Sequence, residues 1–296
     1  MQTKLVEFKN QENEALRGIL NVPDLRPSQG AIFLHGIGGG KDAKFRMVSV
    51  STSGTPAREA VFLQGFERNA TVEKKSKNTA LALARRNIAS LRFDASGCGL
   101  SDGDFSKTTI IKRSKEILKA IEALENECGK LKIDFVAHSM GMCPLALIME
   151  KIKPLIHKMV FIAPALNQKD LLRYYFVRDS KKKTNPGLEI SWSNYKQYLD
   201  ENEFLADCRR TGRMVRENYI NPDYFLEAKD MDFSHSFDSI KDRILHVHGE
   251  LDMSVPLESL SVEFPDCIIV KGGDHDLERP DFWDQWFPQA VDFLTN

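Results

Sequence analysis

Short apolar runs recur along the chain and are separated by polar or glycine-containing stretches. Each run has the length of a buried strand, about four to eight residues. Two of them near the start, 4–8 and 15–21, lie close enough together to predict an opening hairpin. The later runs are predicted strands of one sheet, at 31–34, 88–93, 133–137, 159–163, 244–247 and 267–270.

Between the predicted strands lie segments whose apolar residues recur at helical spacing. In the clearest of them Ile110, Ile117 and Ile121 fall on one side, with lysine and glutamate on the other. Strands that alternate with helices favour a mostly parallel sheet with helices on both faces, which is an α/β fold. The predicted helices span 78–86, 110–127, 141–151 and 282–294.

Two long segments interrupt this alternation, at 41–77 and 166–235. Both exceed the usual connection in a compact domain, so each is predicted to be functional, structured in its own right or partly disordered. The second holds 11 of the 27 aromatic residues of the chain, while its 12 basic and 12 acidic residues cancel. This composition favours either an apolar pocket for an uncharged substrate or a small core of the segment's own.

Composition narrows the class of protein. With 42% hydrophobic residues, 28% charged residues and a net charge of -1, the chain is predicted to be globular and not to bind nucleic acid. No segment approaches the roughly 18 apolar residues of a membrane span, so no stable membrane insertion is expected. Five cysteines without a C-x-x-C pair favour reduced thiols and a cytoplasmic location. The oligomeric state has no signal in the sequence.

Ser139 lies where the apolar run 133–137 gives way to a helical pattern. Ala137 and Gly141 stand two residues on either side of it. This small-x-Ser-x-Gly pattern is typical of a nucleophile elbow, a tight strand-to-helix turn that exposes the hydroxyl and tolerates only small neighbours. The alternative is a serine that caps an ordinary helix.

A seryl hydroxyl becomes a nucleophile when a base takes its proton and a carboxylate orients that base. Asp252 and His275 each follow a predicted strand, and the ends of parallel strands meet at one edge of an α/β sheet. We therefore predict that Ser139, Asp252 and His275 form a catalytic triad. Asp274 and Asp276 could also orient His275, but triads converge from separate loops, which favours Asp252.

Other motifs allow competing interpretations. His246 and His248 alternate along a predicted strand and could bind a metal, but no partner motif accompanies them, so buried core histidines are favoured and no metal is predicted. The segment HGIGGGKD resembles a phosphate-binding P-loop, yet His35 replaces its first glycine and Asp42 replaces the required Ser or Thr. His138 should point away from Ser139 and pack or position its neighbours.

Several motifs occur together in the order typical of one family. They are His35-Gly36, the segment DASGCGLSDG at 94–103, AHSMG at 137–141, HGELD at 248–252, and His275. Over nearly its whole length the chain resembles serine hydrolases of the α/β-hydrolase fold. Within them it is similar to the branch of feruloyl esterases and monoacylglycerol-lipase-like carboxylesterases, which share the D-x-x-G-x-G-x-S-x-G loop.

The resemblance implies a domain organisation and an oxyanion hole. Residues 1–165 and 236–296 would form the hydrolase core with an unusual insert at 41–77, and 166–235 would form a cap. The N–H of Met140, next to the nucleophile, is one candidate oxyanion donor, and the resemblance supplies the N–H of Ile37 as the second. The remaining residues expected beside the substrate are Gly36, Gly38 and His138.

These observations predict a serine hydrolase that cleaves carboxylic esters through an acyl-enzyme and needs no cofactor. The expected partner is a small-molecule ester with an uncharged short-to-medium acyl or arylacyl group. A thioesterase, an acyltransferase and an aminopeptidase remain alternatives, because one triad accepts several acyl donors and acceptors. A non-catalytic binding protein on a hydrolase scaffold is an alternative of another class.

Overall fold

A computed structural model describes most of the chain. The described residues are 1–24, 30–34, 59–63, 74–130, 132–210, 212–215 and 218–296. The predicted site residues Gly36, Ile37 and Gly38 lie outside them, as does most of the segment 41–77.

Strands and helices alternate as the sequence predicts. The strands are β1 Gln2–Lys9, β2 Ala15–Val22, β3 Gly30–Leu34, β4 Glu59–Leu63, β5 Ala89–Asp94, β6 Ile133–His138, β7 Ile156–Ile162, β8 Arg213–Val215, β9 Asn218–Ile220, β10 Ile244–Gly249 and β11 Asp266–Val270. The α-helices are α1 Lys74–Arg85, α2 Ile110–Cys128, α3 Met142–Leu147, α4 Met149–Ile152, α5 Gln168–Thr184, α6 Glu201–Arg209, α7 Pro222–Ala228 and α8 Pro280–Thr295.

Within the described residues, nine strands form one sheet in the order β1-β2-β5-β4-β3-β6-β7-β10-β11, and β4 also pairs with β6. The antiparallel pairing of β1 with β2 confirms the predicted hairpin. β2 joins β5 antiparallel, and the pairings from β5 to β11 are parallel. The predicted α/β fold is therefore confirmed.

Helices cover both faces of the sheet because successive strand residues point to opposite sides. Phe135 and Phe161 belong to a core cluster shared with α2 and α3. Their neighbours Val136 and Val160 belong to a second cluster with residues of α1 and α8, including the fully buried Trp286. Both faces are thus buried, which explains why the central strands are continuous apolar runs rather than alternating ones.

The structure departs from the predicted elements in several places. The helix predicted from 78 begins at Lys74, because tertiary contacts accept polar residues: Lys75 is buried and its ammonium donates to the carbonyl of Asp276. β4 lies inside the segment assigned to the insert, where no strand was predicted. The single helix predicted over 141–151 is two helices, separated at Ile148 by non-helical backbone.

The segment 166–235, hereafter the cap segment, contains α5, α6, α7 and the small antiparallel sheet of β8 and β9. Its two ends meet, since the N–H of Phe233 donates to the carbonyl of Leu166 at 3.0 Å. Tyr174, Tyr195 and Trp192 form a cluster of the segment's own, whereas Phe204 and several other side chains pack into the main core. None of the described helices combines the length and the apolar character needed to cross a bilayer.

Candidate active site

Ser139 stands at the sharp turn between β6 and α3. Its φ of 58° lies in the left-handed region, which a residue with a Cβ enters only when its surroundings hold it there. The N–H of Ala165, just beyond β7, donates to the carbonyl of Ser139 at 3.0 Å. Ala137 and Gly141 are buried on either side. The turn has the geometry of a nucleophile elbow and exposes the hydroxyl.

The structure brings the three predicted triad residues together. The Oγ of Ser139 is 3.0 Å from Nε2 of His275, and Nδ1 of His275 is 2.7 Å from Oδ2 of Asp252. Asp252 follows β10 and His275 follows β11, as the strand-end argument predicts. Both loops close tightly at Gly249, where a Cβ would lie 2.4 Å from the carbonyl oxygen of Asp274. A larger residue at 249 would displace the loop that carries the histidine.

The carboxylate of Asp252 is buried and fully hydrogen-bonded. Oδ1 accepts from the N–H groups of Ser254 and Val255, each at 2.8 Å, while Oδ2 faces His275 and lies 3.4 Å from Nε2 of His248. Burial alone would raise the pKa of Asp252, but the hydrogen bonds from His248 and His275 and the charge interaction with His275 hold that pKa well below its usual range. Asp252 is therefore ionised at neutral pH.

The two rival carboxylates have other contacts. Oδ1 of Asp274 accepts from the N–H groups of Asp276 and Leu277 at 3.1 and 2.9 Å, so it caps a turn of its own loop. The carbonyl of Asp276 accepts from Lys75. The geometry around His275 thus favours Asp252 as the orienting acid.

His138 contacts the loop that carries His275. Its ring is buried, lies 4.8 Å from the His275 ring between centroids, and uses Nε2 to donate to the carbonyl of His275 at 2.9 Å. Because a carbonyl oxygen only accepts, Nε2 carries the proton. This is a positioning contact, and a direct contact of His138 with substrate stays a prediction.

A cavity of about 390 Å³ opens in front of Ser139 and His275. Met140 contributes to its floor, and much of the remaining wall comes from the cap segment, including Tyr175, Arg178, Arg213, Met214, Tyr224 and Phe225. Three of the cap segment's aromatic residues therefore line the cavity, while others form the cluster around Tyr174. The aromatic residues of the segment therefore divide between the cavity wall and a cluster of the segment's own.

Sequence reasoning missed the two arginines on this wall, because a balanced total charge says nothing about where the charges point. Arg178 lies against the rings of Tyr174 and Tyr175 and pairs with Asp179 at 3.2 Å. Arg213 pairs with Asp207 and lies over the ring of Phe225. Both guanidinium charges are thus already compensated by carboxylates.

Helix α5 of the cap segment is hydrogen-bonded to the loop that begins at Asp252. The hydroxyl of Tyr175 donates to the carbonyl of Ser254 at 2.6 Å, and Arg178 donates to the carbonyl of Met253 at 3.3 Å. These carbonyls belong to the residues directly after Asp252. The sequence shows no sign of this link, because it joins positions 79 and 75 residues apart.

The glycine-rich segment 94–103 forms a tight turn after β5. The N–H of Leu100 donates to the carboxylate of Asp94 at 3.0 Å. Gly97 has a φ of 75°, and a Cβ there would lie 2.1 Å from the backbone nitrogen of Phe105. Asp94 therefore has a structural role, which agrees with its position outside the cavity wall.

His246 and His248 are buried, and each described ring nitrogen has a partner. Nε2 of His246 lies 3.1 Å from Nδ1 of His248, Nε2 of His248 lies 2.8 Å from the carbonyl of Val255, and Nδ1 of His246 lies 3.3 Å from Sγ of Cys267. Within the part of the chain that the structure describes, no group of three or more His, Cys, Asp and Glu side chains is arranged to hold a metal ion.

Burial of His246 predicts a loss of stability in mild acid. Burial, with a smaller repulsion from His248, lowers the pKa of His246 from 6.5 to about 3. Between these values the unfolded chain binds a proton that the folded protein does not, so the free energy of unfolding falls as pH falls. From pH 6.5 to 5 this loss amounts to about 2 kcal/mol. The lowered pKa of Asp252 reduces the free energy of unfolding only below about pH 4.

Urea unfolding of wild type and His246→Asn at pH 7 and pH 5 would measure this effect. We expect the variant to lose about 2 kcal/mol less than wild type between the two pH values. His235→Asn is the matched control, because the His235 side chain is 75% exposed. An equal pH dependence in wild type and His246→Asn would contradict the prediction.

Comparison with known proteins agrees with this geometry. The sequence profile of the Hydrolase_4 family, described as serine aminopeptidase, S33, matches residues 58–257, more than half of the chain. The chain belongs to this family. Its α/β-hydrolase fold and its nucleophile elbow are those expected of a serine hydrolase.

Solved structures resemble this α/β-hydrolase over almost its full length. Est1E from Butyrivibrio proteoclasticus, with ferulic acid bound, is 17% identical with a TM-score of 0.64, covering 98% of this chain and 97% of that one. The esterase domain of a Rhodothermus marinus protein is 16% identical, TM-score 0.60, covering 100% and 98%. The Pyrococcus furiosus esterase Pf2001 is 17% identical, TM-score 0.60, covering 99% and 90%. None of the curated proteins compared with the chain matches it.

Proposed function

We propose that this α/β-hydrolase cleaves carboxylic esters through an acyl-enzyme, with Ser139 as nucleophile, His275 as base and Asp252 as orienting acid. The observation that carries the proposal is the unbroken hydrogen-bonded series from Ser139 through His275 to Asp252 at the wall of the cavity. The cap segment is, in this proposal, the cap that encloses the substrate.

The proposed mechanism accounts for each proton. Ser139 Oγ attacks the ester carbonyl carbon while its proton passes to Nε2 of His275, and the carbonyl π electrons move to oxygen. When the tetrahedral intermediate collapses, His275 returns that proton to the leaving alcohol and the acyl group stays on Ser139. Water then attacks the acyl-enzyme by the same steps and releases the acid. Asp252 stabilises the imidazolium throughout.

The oxyanion hole of the proposal combines two backbone donors. The N–H of Met140 follows the nucleophile in the turn at the start of α3, and a donor of this kind is worth about 10²- to 10³-fold in rate. The N–H of Ile37, with Gly36 and Gly38 allowing close approach, stays a prediction from resemblance because these residues lie outside the described ones. No step of this mechanism uses a cofactor.

The similar solved structures favour esters over the alternative acyl donors. Est1E holds ferulic acid, and two further similar structures are esterases by name. The family description names a serine aminopeptidase, whose substrate has a free amino group that needs a carboxylate partner. On the cavity wall Asp179 could serve, but it already pairs with Arg178.

We also propose a cytoplasmic location, supported by five cysteines of which none is disulfide-bonded.

The compensated arginines support a preference for uncharged acyl groups. Each CH₂ that an apolar wall buries is worth about 0.8 kcal/mol, so kcat/KM should rise up to about tenfold from acetyl to butyryl esters and fall once the cavity is filled. Cinnamoyl esters should be good substrates, while succinyl esters should be poor, because the two arginines described on the cavity wall already pair with carboxylates. Kinetics on acetyl, butyryl, octanoyl, cinnamoyl and succinyl esters, with matching thioesters and aminoacyl amides, measure this.

One variant serves as a control for this series. Arg178→Gln removes a charge from the wall, so an acyl preference that is unchanged by it would agree with an uncharged site. A clear preference for succinyl that disappears in Arg178→Gln would instead show that the guanidinium binds the substrate carboxylate. Faster turnover of thioesters or aminoacyl amides than of esters would replace the proposed substrate class with that alternative.

A further inference from the structure

We propose that His248 is a positioning residue for the catalytic acid, held in one tautomer by a hydrogen-bonded chain of side chains that runs from the exposed Cys267 through the buried His246. The inference rests on the proposed function, because it assigns Asp252 as that acid. His248 lies at the end of β10, four residues before Asp252, and its side chain is fully buried. It is absent from the cavity wall, so it acts on the reaction only through its neighbours.

The carbonyl of Val255 fixes the tautomer of His248. A carbonyl oxygen only accepts, so the contact at 2.8 Å requires a proton on Nε2 of His248. In the neutral ring Nδ1 is then an acceptor, and it receives the Nε2–H of His246 at 3.1 Å. Nδ1 of His246 in turn accepts from the thiol of Cys267 at 3.3 Å. Each link leaves one arrangement of protons.

Burial keeps His246 neutral. The low pKa of His246 described above means that its ring does not take up a second proton at neutral pH. A protonated His246 would still donate from Nε2, but it would put a positive charge next to His248 in a buried site. Nε2–H of His248 is therefore the donor that this series of side chains presents to the loop after Asp252.

That donor acts on Asp252 in two ways. It binds the Val255 carbonyl and so fixes the turn whose Ser254 and Val255 N–H groups hold Oδ1. It also lies 3.4 Å from Oδ2, the oxygen that accepts from His275. A leucine at 248 would fill similar space but leave the Val255 carbonyl without its partner and Oδ2 without the polar N–H that lies 3.4 Å away.

Removing the donor changes the balance of charge at Oδ2. Without the N–H dipole of His248 near Oδ2, more of the carboxylate charge acts on the His275 imidazolium, which favours the protonated base. The acid limb of kcat/KM reports protonation of the base in the free enzyme, so this limb should move to higher pH. A residue that only packs would not move it.

Several other ionisable or charged groups surround this assembly, and all of them are the same in wild type and variant. They are His138 after β6, Lys75 in α1, Tyr175, Arg178 and Asp179 in α5, Asp274 and Asp276 in the loop of His275, and His246 with Cys267 behind His248. A shift of the acid limb on substitution of His248 therefore reports a change at Asp252.

The test compares His248→Leu with His248→Gln in the full chain, using pH profiles of kcat and kcat/KM on a butyryl ester. In His248→Leu we expect kcat to fall roughly tenfold or more, the size of losing one hydrogen bond to a charged group, with little change in KM. The acid limb should rise by roughly half a pH unit. In His248→Gln the side-chain N–H can still reach Val255, so most of the activity and the wild-type limb should return.

The outcomes separate this inference from the proposed function. Equal losses in both variants with an unmoved acid limb would overturn the positioning role while leaving the triad intact. If His248→Leu fails to fold, two measurements on His248→Gln test the inference: the acid limb of its kcat/KM profile and the low-field NMR signal of the His275 Nδ1–H. A signal unchanged from wild type together with lost activity would contradict the inference. If wild type neither hydrolyses esters nor reacts with a fluorophosphonate at Ser139, the proposed function falls, and the inference with it.

Discussion

Ser139→Ala should lower ester hydrolysis by at least about 10³-fold while the protein stays folded. The substitution removes only the hydroxyl group, whose Oγ is hydrogen-bonded to Nε2 of His275. Alanine keeps a Cβ in the same left-handed conformation, so the backbone strain of the elbow is unchanged and thermal stability should alter little. His275→Ala should cost a similar factor, because the members of a triad act as a unit.

Covalent labelling provides a readout that does not depend on the choice of ester. A fluorophosphonate should label wild type at Ser139 and leave Ser139→Ala unlabelled, which also separates an enzyme from a binding protein on a hydrolase scaffold. The exposed Ser193 in the cap segment gives a matched control, because Ser193→Ala removes a hydroxyl that contacts only Ser191 among the hydrogen bonds described. Near-normal hydrolysis by a folded Ser139→Ala protein would refute the mechanism.

Asp252→Asn should lower kcat by about 10²- to 10⁴-fold, and the structure gives a specific reason. The two N–H groups of Ser254 and Val255 require an acceptor, so the amide oxygen takes the place of Oδ1. The amide NH₂ then faces His275, where Oδ2 was. To accept from this NH₂, the His275 ring must carry its proton on Nε2 instead of Nδ1. The ring can then no longer take the proton of Ser139.

Two neighbouring carboxylates provide controls for that result. Asp274→Asn keeps an oxygen for the turn that Asp274 caps, so it should change kcat only a few-fold, within the usual effect of a surface substitution. Asp276→Asn should also change kcat only a few-fold, because the variant keeps the backbone carbonyl that accepts from Lys75. If either of these variants lost more activity than Asp252→Asn, the acid would have to be reassigned.

The parts of the fold that follow local rules could be predicted from the sequence. Buried parallel strands are apolar runs, so β6 and β10 stood out, and the small residues around Ser139 marked the turn between strand and helix. The strand-end rule then placed Asp252 and His275 on the same edge without any knowledge of distance. These predictions needed only short stretches of chain.

Features that depend on contacts between distant parts of the chain could not be predicted from the sequence. The first turn of α1 is polar, and its burial depends on a loop some 200 residues later, where Lys75 meets the carbonyl of Asp276. The direction of Arg178 and Arg213 depends on how the cap segment folds over the cavity. His246 and His248 were expected to be buried core residues, but their connection to Asp252 requires the return of the chain at Val255.

The hydrogen bonds from Tyr175 and Arg178 to the acid loop have a consequence for engineering. Exchanging the cap segment for that of another α/β-hydrolase is an obvious way to change substrate range. Here such a graft would also remove the two side chains that brace the carbonyls of Met253 and Ser254, next to the catalytic carboxylate. A donor segment without a hydroxyl at the position of Tyr175 would deliver a new pocket together with a slower catalyst, and the two effects would be separable only by restoring the tyrosine.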